Sequence, residues 1–416
     1  MKTVWTLNHY AAEPGGVGGT RHFHLAEGLA QHGWESIIIA SSIELNSGRQ
    51  RLHPGEANRL EVCKGVRFQW IRTPEYAGNG GGRMRNMLSY SMRVLLPSFT
   101  RGLPTPDAVI GSSVHPFAAV SGALLSRRFN VPFVFEVRDL WPQTLIDLGR
   151  LKPKSLIAKA MGWIERWLYR RADRIVVLLP RAADYIVPLG IDSGKIVWIP
   201  NGVDLSLFPA TPPKQEGMQG EFTLMYFGAH GQANALETLV DAMALVRERA
   251  PERSIRLRLI GDGLAKAELI SRASRLGLDE TIIVFEAPVP KHRIPALAAE
   301  ADAFVLSVLD RPALYRYGIS MNKLFDYLAA ERPVIIASAA VNNPVEDAQC
   351  GLTVRPGDPD ALAGAIITMA ALPVAKRRAM GERGRRHVED NYGYQRLAAR
   401  LSAVLDDCMK STEYKA

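Results

Sequence analysis

Residues 315–338 read YRYGISMNKLFDYLAAERPVIIAS, and this stretch predicts a loop, a helix and a buried strand. From Leu324 onward, apolar residues recur at the spacing of one helix face, and Pro333 ends the pattern. The short apolar run at 334–336 is typical of a parallel strand that is covered on both faces. A helix that leads directly into such a strand indicates an α/β fold.

The first two turns of this helix carry a hydroxyl, a cation and a carboxylate. Ser320, Lys323 and Asp326 are three residues apart, so their side chains project from neighbouring positions. Ser320 and Asn322 are also residue types that favour a helix start. A helix N-terminus with these groups can hold a phosphate and a ribose. The alternative is that Lys323 and Asp326 form a solvated pair with only local stability.

Length and composition limit the protein class. The chain has 416 residues, of which 47% are hydrophobic and 22% charged. We expect two domains, because this length exceeds one ordinary core, and a composition of this kind is typical of soluble globular proteins. No apolar run reaches the length of a bilayer span. The three scattered cysteines match no zinc spacing, which favours a cytosolic, reducing compartment without disulfides or a bound metal.

The net charge of +9 is concentrated in one half of the chain. Residues 1–205 contain 25 Lys and Arg against 16 Asp and Glu, whereas the remainder has 26 of each. Segments 83–101 and 150–174 interleave bases with large apolar residues, as basic amphipathic helices do on an anionic membrane surface. We therefore expect peripheral binding to the inner face of the plasma membrane and no nucleic-acid partner. The alternative for both segments is a helix packed by its apolar stripe with solvated bases.

The first half opens with a strand–loop–helix–strand unit. A strand at 4–7 leads into the loop PGGVGG at 14–19, and a second strand lies at 36–40. Bare amides at a helix start suit a phosphate or the close approach of a sugar, so Gly18 and Gly19 are candidate contacts. These glycines can equally serve a tight turn alone. The G-x-G-x-x-G spacing is met only loosely, and no acid ends the second strand as NAD binding requires.

Two further strands of the first half end in polar side chains. The strand at 108–111 precedes His115, and the strand at 131–137 precedes Arg138 and Asp139. Ligands of open α/β sheets lie at the carboxyl ends of strands, which makes these residues catalytic candidates. Asp139 can equally cap the segment that follows it.

The second half restarts the pattern after a Pro-, Gly- and Gln-rich linker at 209–220. A strand at 222–227 leads into a second glycine loop, GAHG, in which Gly228 and Gly231 are candidate phosphate contacts. Two α/β halves, each with a glycine loop after its first strand, predict a bilobal chain with an interdomain cleft.

Together these segments resemble the retaining family 4 glycosyltransferases of the GT-B fold. The matching sequences are PGGVGGTRHFHLAEGLAQHGWE, PFVFEVRDLWPQ, IPNGVD, LIGDGLAKAEL and ISMNKLFDYLAAERPVI. The RDLWP and YGIS-x-NK-LF-x-Y sequences are most similar to the bacterial polysaccharide and O-antigen branch that transfers N-acetyl-fucosamine or related hexosamines. The resemblance implies two Rossmann-like domains with parallel sheets facing a cleft. Residues 1–205 would serve the acceptor and 206–391 the nucleotide-sugar, with a C-terminal helix at 392–416 crossing back to the first domain.

By this resemblance, the donor is a UDP-sugar, the acceptor is a lipid-linked glycan, and no metal or cofactor takes part. Asp326 would accept hydrogen bonds from the ribose, and the uracil would lie near Pro288 and Val289. The remaining implied donor contacts are Gly18, Gly19, Gly228, Gly231, Ser320, Asn322 and Lys323. The implied catalytic residues are His115, Arg138, Asp139 and Lys323.

The sequence departs from the family pattern at two positions. The family has two acids eight residues apart; the second falls on Asp326, but the first falls on Gly318. Glu331 stands where the family has glycine, which questions the close packing of the helix at that point.

Three other classes remain as alternatives. A UDP-sugar 2-epimerase would share the fold but needs acid and base groups around C2 of the sugar. A nucleotide-dependent oxidoreductase is disfavoured by the missing ribose-binding acid. A basic, non-catalytic nucleic-acid or lipid-binding module is compatible with the charge of the first half.

Overall fold

The structure is a computed structural model that describes residues 1–14, 19–45, 48–76, 78, 80–209 and 220–413. The chain divides into two compact units. The first unit comprises Met1–Asn201 together with Tyr394–Ala416, and the second comprises Gly202–Gly393. The division falls close to the boundary at 205/206 that the sequence suggests.

The first unit contains one sheet covered by helices. In chain order, its elements before the division are β1 (Lys2–Leu7), α1 (Arg21–Ala30), β2 (Trp34–Ser41), β3 (Asn58–Cys63), β4 (Val66–Ile71), α2 (Gly81–Arg93), α3 (Pro97–Thr100), β5 (Ala108–Ser112), α4 (Pro116–Phe129), β6 (Phe133–Val137), α5 (Gln143–Asp147), α6 (Leu156–Arg171), β7 (Arg174–Val177), α7 (Ala183–Ile186) and β8 (Ile196–Trp198). The strand order is β3-β4-β2-β1-β5-β6-β7-β8, and neighbouring strands are parallel except β3 and β4. β1 and β5 are therefore adjacent, which brings the segments after them together.

The second unit contains a parallel sheet with the strand order of a Rossmann fold. The remaining elements of the chain are β9 (Glu221–Phe227), α8 (Leu236–Arg249), β10 (Ser254–Ile260), α9 (Lys266–Arg275), β11 (Ile283–Glu286), α10 (Ile294–Ala298), β12 (Ala303–Ser307), α11 (Pro312–Tyr315), α12 (Asn322–Ala329), β13 (Val334–Ala337), α13 (Pro344–Asp347), β14 (Gly351–Val354), α14 (Pro359–Ala371), α15 (Val374–Asn391) and α16 (Tyr394–Glu413). The order β11-β10-β9-β12-β13-β14 reverses direction between β9 and β12. Ligands of such sheets bind at this switch point.

The segment at 315–338 forms α12 and β13, which confirms the predicted loop, helix and strand. The predicted caps are wrong, because Met321 occupies the N-cap position without a side-chain hydrogen bond and Asn322 is the first helical residue. Glu331 has a φ of +55°, a left-handed conformation that follows a helix end. Glycine suits this backbone conformation, and the backbone here is also closely packed, since a Cβ at Gly381 would lie 2.1 Å from the Glu331 carbonyl oxygen.

The C-terminal helix α16 belongs to the first unit. Its Leu397 and Leu401 lie in one buried cluster with Leu25 and Leu29 of α1. Burying apolar side chains of this size contributes about 1.5–3 kcal/mol each. This packing accounts for the return of the chain to the first unit.

No single helix within the described ranges combines the length and apolarity needed to cross a bilayer. α14 and α15 meet that criterion only when taken together, and they are bent by 111°.

Candidate functional site

Lys323 is the centre of the polar cluster in the second unit. Its ammonium donates hydrogen bonds to Tyr226 Oη at 2.6 Å and to Asn234 Oδ1 at 2.6 Å. Tyr226 lies near the end of β9, and Asn234 lies in the turn before α8. Burial lowers the pKa of Lys323 to about 7, since the low-dielectric surroundings disfavour the charged form. Lys323 is thus held over the glycine loop that follows β9.

Two glycine-containing loops pack against one another beside Lys323. Gly261, after β10, has a φ of +149°, and a Cβ there would lie 2.0 Å from the carbonyl oxygen of Gly228. Only glycine allows this approach. Tyr226 Oη and Asn234 Nδ2 both donate to the Ala229 carbonyl at 2.8 Å, which fixes the loop between Gly228 and Gly231.

His230 lies buried within the same loop. Its ring nitrogens have no hydrogen-bond partner among the residues that the structure describes. Burial and the cations Lys266 and Lys323 lower the pKa of His230 to about 4, although Asp262 opposes this shift. The imidazole is therefore neutral at pH 7 and does not compete with Lys323 for an anion.

Asp326 lies one turn after Lys323 but faces different neighbours. The side chain is buried, and burial raises the pKa of its carboxyl; Lys291 opposes that shift and Asp204 adds to it. No donor within the described part of the chain hydrogen-bonds to this carboxylate. A buried carboxylate without a donor is an acceptor available to ligand hydroxyls.

Gly318 stands at the position where the family has the first of its two acids, and its backbone conformation is one that glycine adopts most easily. Its φ of +107° is strained for residues with a side chain. The next residue, Ile319, is fixed by two hydrogen bonds with Asn342, at 2.7 and 3.0 Å. The backbone here is thus held in a conformation that favours glycine over a carboxylate.

The other predicted donor contacts of the second unit lie in the loops at the carboxyl end of its sheet. Ser320 is half-buried and Asn322 exposed, at the start of α12. Pro288 is exposed and Val289 half-buried, directly after β11. These side chains are accessible, and their proposed donor contacts stay predictions.

In the first unit, His115 forms a buried pair with His9, which follows β1. His115 Nδ1 accepts from the Ala118 amide at 3.3 Å and caps α4, and His115 Nε2 lies 2.7 Å from His9 Nδ1. His9 stacks between Tyr10 and Tyr90. Burial lowers the pKa of His115 to about 3 and that of His9 well below its ordinary value. Both rings are therefore neutral at pH 7, and the catalytic role of His115 stays a prediction.

Arg83 belongs to this cluster rather than to an outward basic face. It donates to Tyr10 Oη at 3.2 Å and lies over the Tyr10 ring. Its positive charge contributes to the lowered pKa of His115 and His9.

A second buried cluster of the first unit is organised around Glu136 of β6. Its carboxylate accepts from Arg21 Nε at 3.1 Å and Ser112 Oγ at 2.9 Å, and lies 2.8 Å from His22 Nε2. His22 Nδ1 lies 2.7 Å from Asn8 Nδ2. Burial would raise the pKa of Glu136, but His22 and Arg21 outweigh it and hold that pKa well below its ordinary range. Arg21 and the Glu136 carboxylate thus form a buried ion pair.

Arg138 and Asp139 follow β6 at the edge of this cluster. The Arg138 amide donates to Ser113 Oγ at 3.0 Å, and a Cβ at Gly19 would lie 3.6 Å from the Arg138 guanidinium. Asp139 is exposed. The structure thus brings Gly19 and Arg138 together as neighbours. Gly18 lies outside the described residues.

Several of these residues were not predicted from the sequence. Tyr226 and Asn234 were missed because they reach Lys323 from 97 and 89 residues away in the chain. Glu136 had a visible signal, since it is a lone acid in the otherwise apolar strand FVFEV. Across the residues that the structure describes, no group of three His, Cys, Asp or Glu side chains has the arrangement of a metal site.

Comparison with known proteins assigns each half to a glycosyltransferase domain family. Residues 16–202 match the family described as "Glycosyl transferase 4-like domain", and residues 221–371 match "Glycosyl transferases group 1". The chain is 22% identical over 298 residues to "Probable glycosyltransferase WbjE" of Pseudomonas aeruginosa, covering 69% of this chain and 71% of that protein. Other similar proteins include inositol-phosphate glycosyltransferases and mannosyltransferases.

Solved structures with the same fold cover nearly the whole chain. Sucrose-phosphate synthase of Thermosynechococcus elongatus superposes with a TM-score of 0.74 at 19% identity, over 99% of this chain and 100% of that one. Anabaena HepE, solved in complex with UDP-glucose, superposes with a TM-score of 0.65 at 16% identity, over 98% and 100%. These similarities show the two-domain α/β fold of GT-B glycosyltransferases, which confirms the predicted fold class.

Proposed function

The chain is a glycosyltransferase of the GT-B type, and we propose that it transfers a sugar from a UDP-sugar to a lipid-linked glycan with retention of configuration. The transferred sugar is an N-acetyl-hexosamine or deoxy-hexosamine, and the pathway is bacterial surface polysaccharide synthesis of the O-antigen type. The structures of HepE and of an Escherichia coli structural neighbour each contain a bound UDP-sugar, which supports a nucleotide-sugar donor.

The observation that carries the proposal is the arrangement on α12. Lys323 is held over the glycine loop by Tyr226 and Asn234, and Asp326 is buried without a donor one turn later. A cation beside loop amides suits a diphosphate, and an unpaired carboxylate suits ribose hydroxyls. One helix thereby presents complementary groups for both parts of UDP.

In the proposed reaction, the bond between the sugar C1 and the β-phosphate oxygen breaks, and the acceptor oxygen bonds to C1 on the same face. The acceptor proton leaves with the departing UDP. Lys323 and the amides between Gly228 and Gly231 stabilise the negative charge that develops on UDP, with roughly 2–4 kcal/mol for each well-placed donor. Because these groups carry the leaving-group charge, the proposal requires no metal.

Arg138 and Asp139 are the proposed contacts to the transferred sugar. Arg138 is positioned by the Ser113 bond to its amide and by its approach to Gly19. A guanidinium donates to hydroxyls in a fixed fork, which suits sugar orientation. His115 is the remaining proposed catalytic residue of the first unit; it caps α4, and its Nε2 lies 2.7 Å from His9 Nδ1.

An anionic membrane is the proposed location of the acceptor. On α2, Met84, Leu88 and Met92 are spaced four residues apart and exposed, and Arg85 is exposed beside them. This stripe has the pattern of a helix on an anionic lipid surface. We propose that the protein binds the inner face of the plasma membrane peripherally.

UDP binding by calorimetry tests the nucleotide site. We expect Lys323→Ala and Asp326→Ala each to weaken UDP binding by about ten- to a hundredfold, the value of a lost hydrogen bond to a charged group. GDP added in place of UDP tests nucleotide selectivity. Arg275→Ala removes an exposed pair with Glu268 in the same unit and serves as the control. Wild-type UDP affinity in both α12 variants would contradict the site.

A further inference from the structure

A cavity of about 270 Å³ lies in the first unit between α5, α6 and the segment after α7. Pro142, Ile146, Pro153 and Leu189 form apolar parts of its wall. Ligand pockets typically hold about 300–1,000 Å³, so this cavity accommodates one segment of a ligand and leaves the remainder outside.

Two cations line the outer part of the cavity. Lys159 and Arg166 project from α6 into its lining and are exposed to solvent. They are seven residues apart, which places them on one side of the helix two turns from each other. Gly162 lies between them, and nothing lies within 4 Å of a Cβ built at that position. The space between the cations is therefore open.

The inner part of the cavity ends at Glu165. Tyr169 Oη and Tyr185 Oη each donate to its carboxyl at 2.9 Å. Burial raises the pKa of Glu165 to about 8, against the opposing effect of these hydrogen bonds. A mostly neutral Glu165 at pH 7 leaves the positive charge of Lys159 and Arg166 uncancelled. Glu165 also lines a smaller cavity with Asp139.

An exposed apolar stripe runs along α6 beside the cations. Leu156 is 83% exposed, and Trp163 is 64% exposed. Leu156 is three residues before Lys159, and Trp163 is four after it and three before Arg166, so these side chains are surface neighbours. Exposed large apolar side chains next to cations mark a surface that binds an anionic amphiphile.

We propose that this cavity binds the phosphate-bearing end of the acceptor's lipid carrier. The phosphate pairs with Lys159 and Arg166, the first part of the hydrocarbon chain lies against Pro142, Ile146 and Leu189, and the rest of the chain follows the Leu156–Trp163 stripe into the bilayer. This inference rests on the proposed lipid-linked acceptor and assigns where its carrier is held.

Other ligands would each use only some of the features of the cavity. Inorganic phosphate would use the cations but not the apolar wall, and an uncharged lipid would use the wall but not the cations. A ligand with both parts uses all the described features.

Calorimetric titration with farnesyl phosphate, kept below its micelle concentration, tests the site. With the diphosphate site of the second unit filled by saturating UDP, we expect wild type to bind farnesyl phosphate at least tenfold more tightly than farnesol, and to bind pyrophosphate undetectably. Gly162→Phe places a ring in the open space between the cations and is expected to weaken farnesyl phosphate binding at least tenfold. Gly162→Ala adds one methyl group and is the matched control with wild-type affinity. Lys159→Glu combined with Arg166→Glu is expected to reproduce the loss without filling the cavity.

UDP affinity is measured on the same samples and is expected to be unchanged in all of them, which shows that the nucleotide site of the second unit is intact. The inference is overturned if Gly162→Phe and the double variant bind farnesyl phosphate as wild type does, or if pyrophosphate binds as tightly as farnesyl phosphate. If UDP binds and farnesyl phosphate does not, this inference fails and the proposed function stands. If UDP itself does not bind, the proposed function fails.

Discussion

Both units carry buried polar clusters at the ends of their strands, but the clusters differ in whether their charged groups have partners within the protein. In the first unit, Glu136 is paired with Arg21 and His22, and His115 is bonded to His9. In the second unit, Lys323 has a pKa lowered to about 7 and Asp326 has no hydrogen-bond donor among the described residues. We therefore expect the two clusters of the first unit to stabilise the fold. The cluster of the second unit keeps a cation and a carboxylate available to a ligand.

This difference follows from the cost of burying charge. A buried charge costs several kcal/mol unless it is paired and hydrogen-bonded. Glu136 meets that condition with protein partners, so its pKa stays low. Lys323 is bonded only to neutral oxygens of Tyr226 and Asn234 in the described structure, so its charged form is disfavoured until an anion arrives.

Removing the Glu136 carboxylate is expected to give the largest effect. Glu136→Ala leaves the buried Arg21 without a carboxylate to balance its charge, although Ile199 and Pro200 carbonyls still accept from it, and we expect the free energy of unfolding to fall by about 3–5 kcal/mol in urea denaturation. The control is Arg275→Ala, which breaks an exposed pair in the second unit and is expected to cost less than about 1 kcal/mol. A similar decrease in the free energy of unfolding in the two variants would contradict a stabilising role for the Glu136 cluster.

The histidine pair gives a smaller, pH-dependent effect. The pKa of His115 is about 3 in the folded chain and about 6.5 when unfolded, so the unfolded chain takes up the proton first. The contribution of His115 to the free energy of unfolding is therefore fully present above pH 6.5. As the pH decreases below 6.5, this contribution decreases by up to about 1.4 kcal/mol per pH unit. His115→Asn retains a capping side chain for α4 but does not titrate.

We expect His115→Asn to flatten the decline of unfolding free energy between pH 6.5 and 4, measured by urea denaturation at each pH. His9 still titrates in this variant, so part of the decline remains. A wild-type slope in the variant would show that His115 is not a buried neutral ring.

Sequence patterns predicted most of the fold because the central strands are apolar on both faces. The predicted strands that correspond to β1, β2, β5 and β9 all lie in such apolar runs. The β3–β4 hairpin was missed, since β3 is a largely exposed edge strand with mixed polarity. Its signal was the Lys64–Gly65 turn, in which both residues have positive φ.

The candidate site was predictable only in part, for a physical reason. Lys323 and Asp326 share one short helix, and local spacing is visible in the sequence. Long-range partners are not: His9 meets His115 across 106 residues. Glu165 likewise accepts a hydrogen bond from Tyr185, which lies 20 residues later in the chain.

The pH dependence of UDP binding tests the central claim most directly, since it reports on Lys323 itself. If Lys323 contacts the diphosphate, it must be protonated to bind, so UDP affinity is expected to fall by about tenfold between pH 7 and 8.5. Calorimetry in buffers of different ionisation enthalpy is expected to show proton uptake at pH 8, and Lys323→Arg, which stays charged, is expected to abolish both effects. A UDP affinity that is constant between pH 7 and 8.5, without proton uptake, would contradict the placement of Lys323 at the donor phosphates.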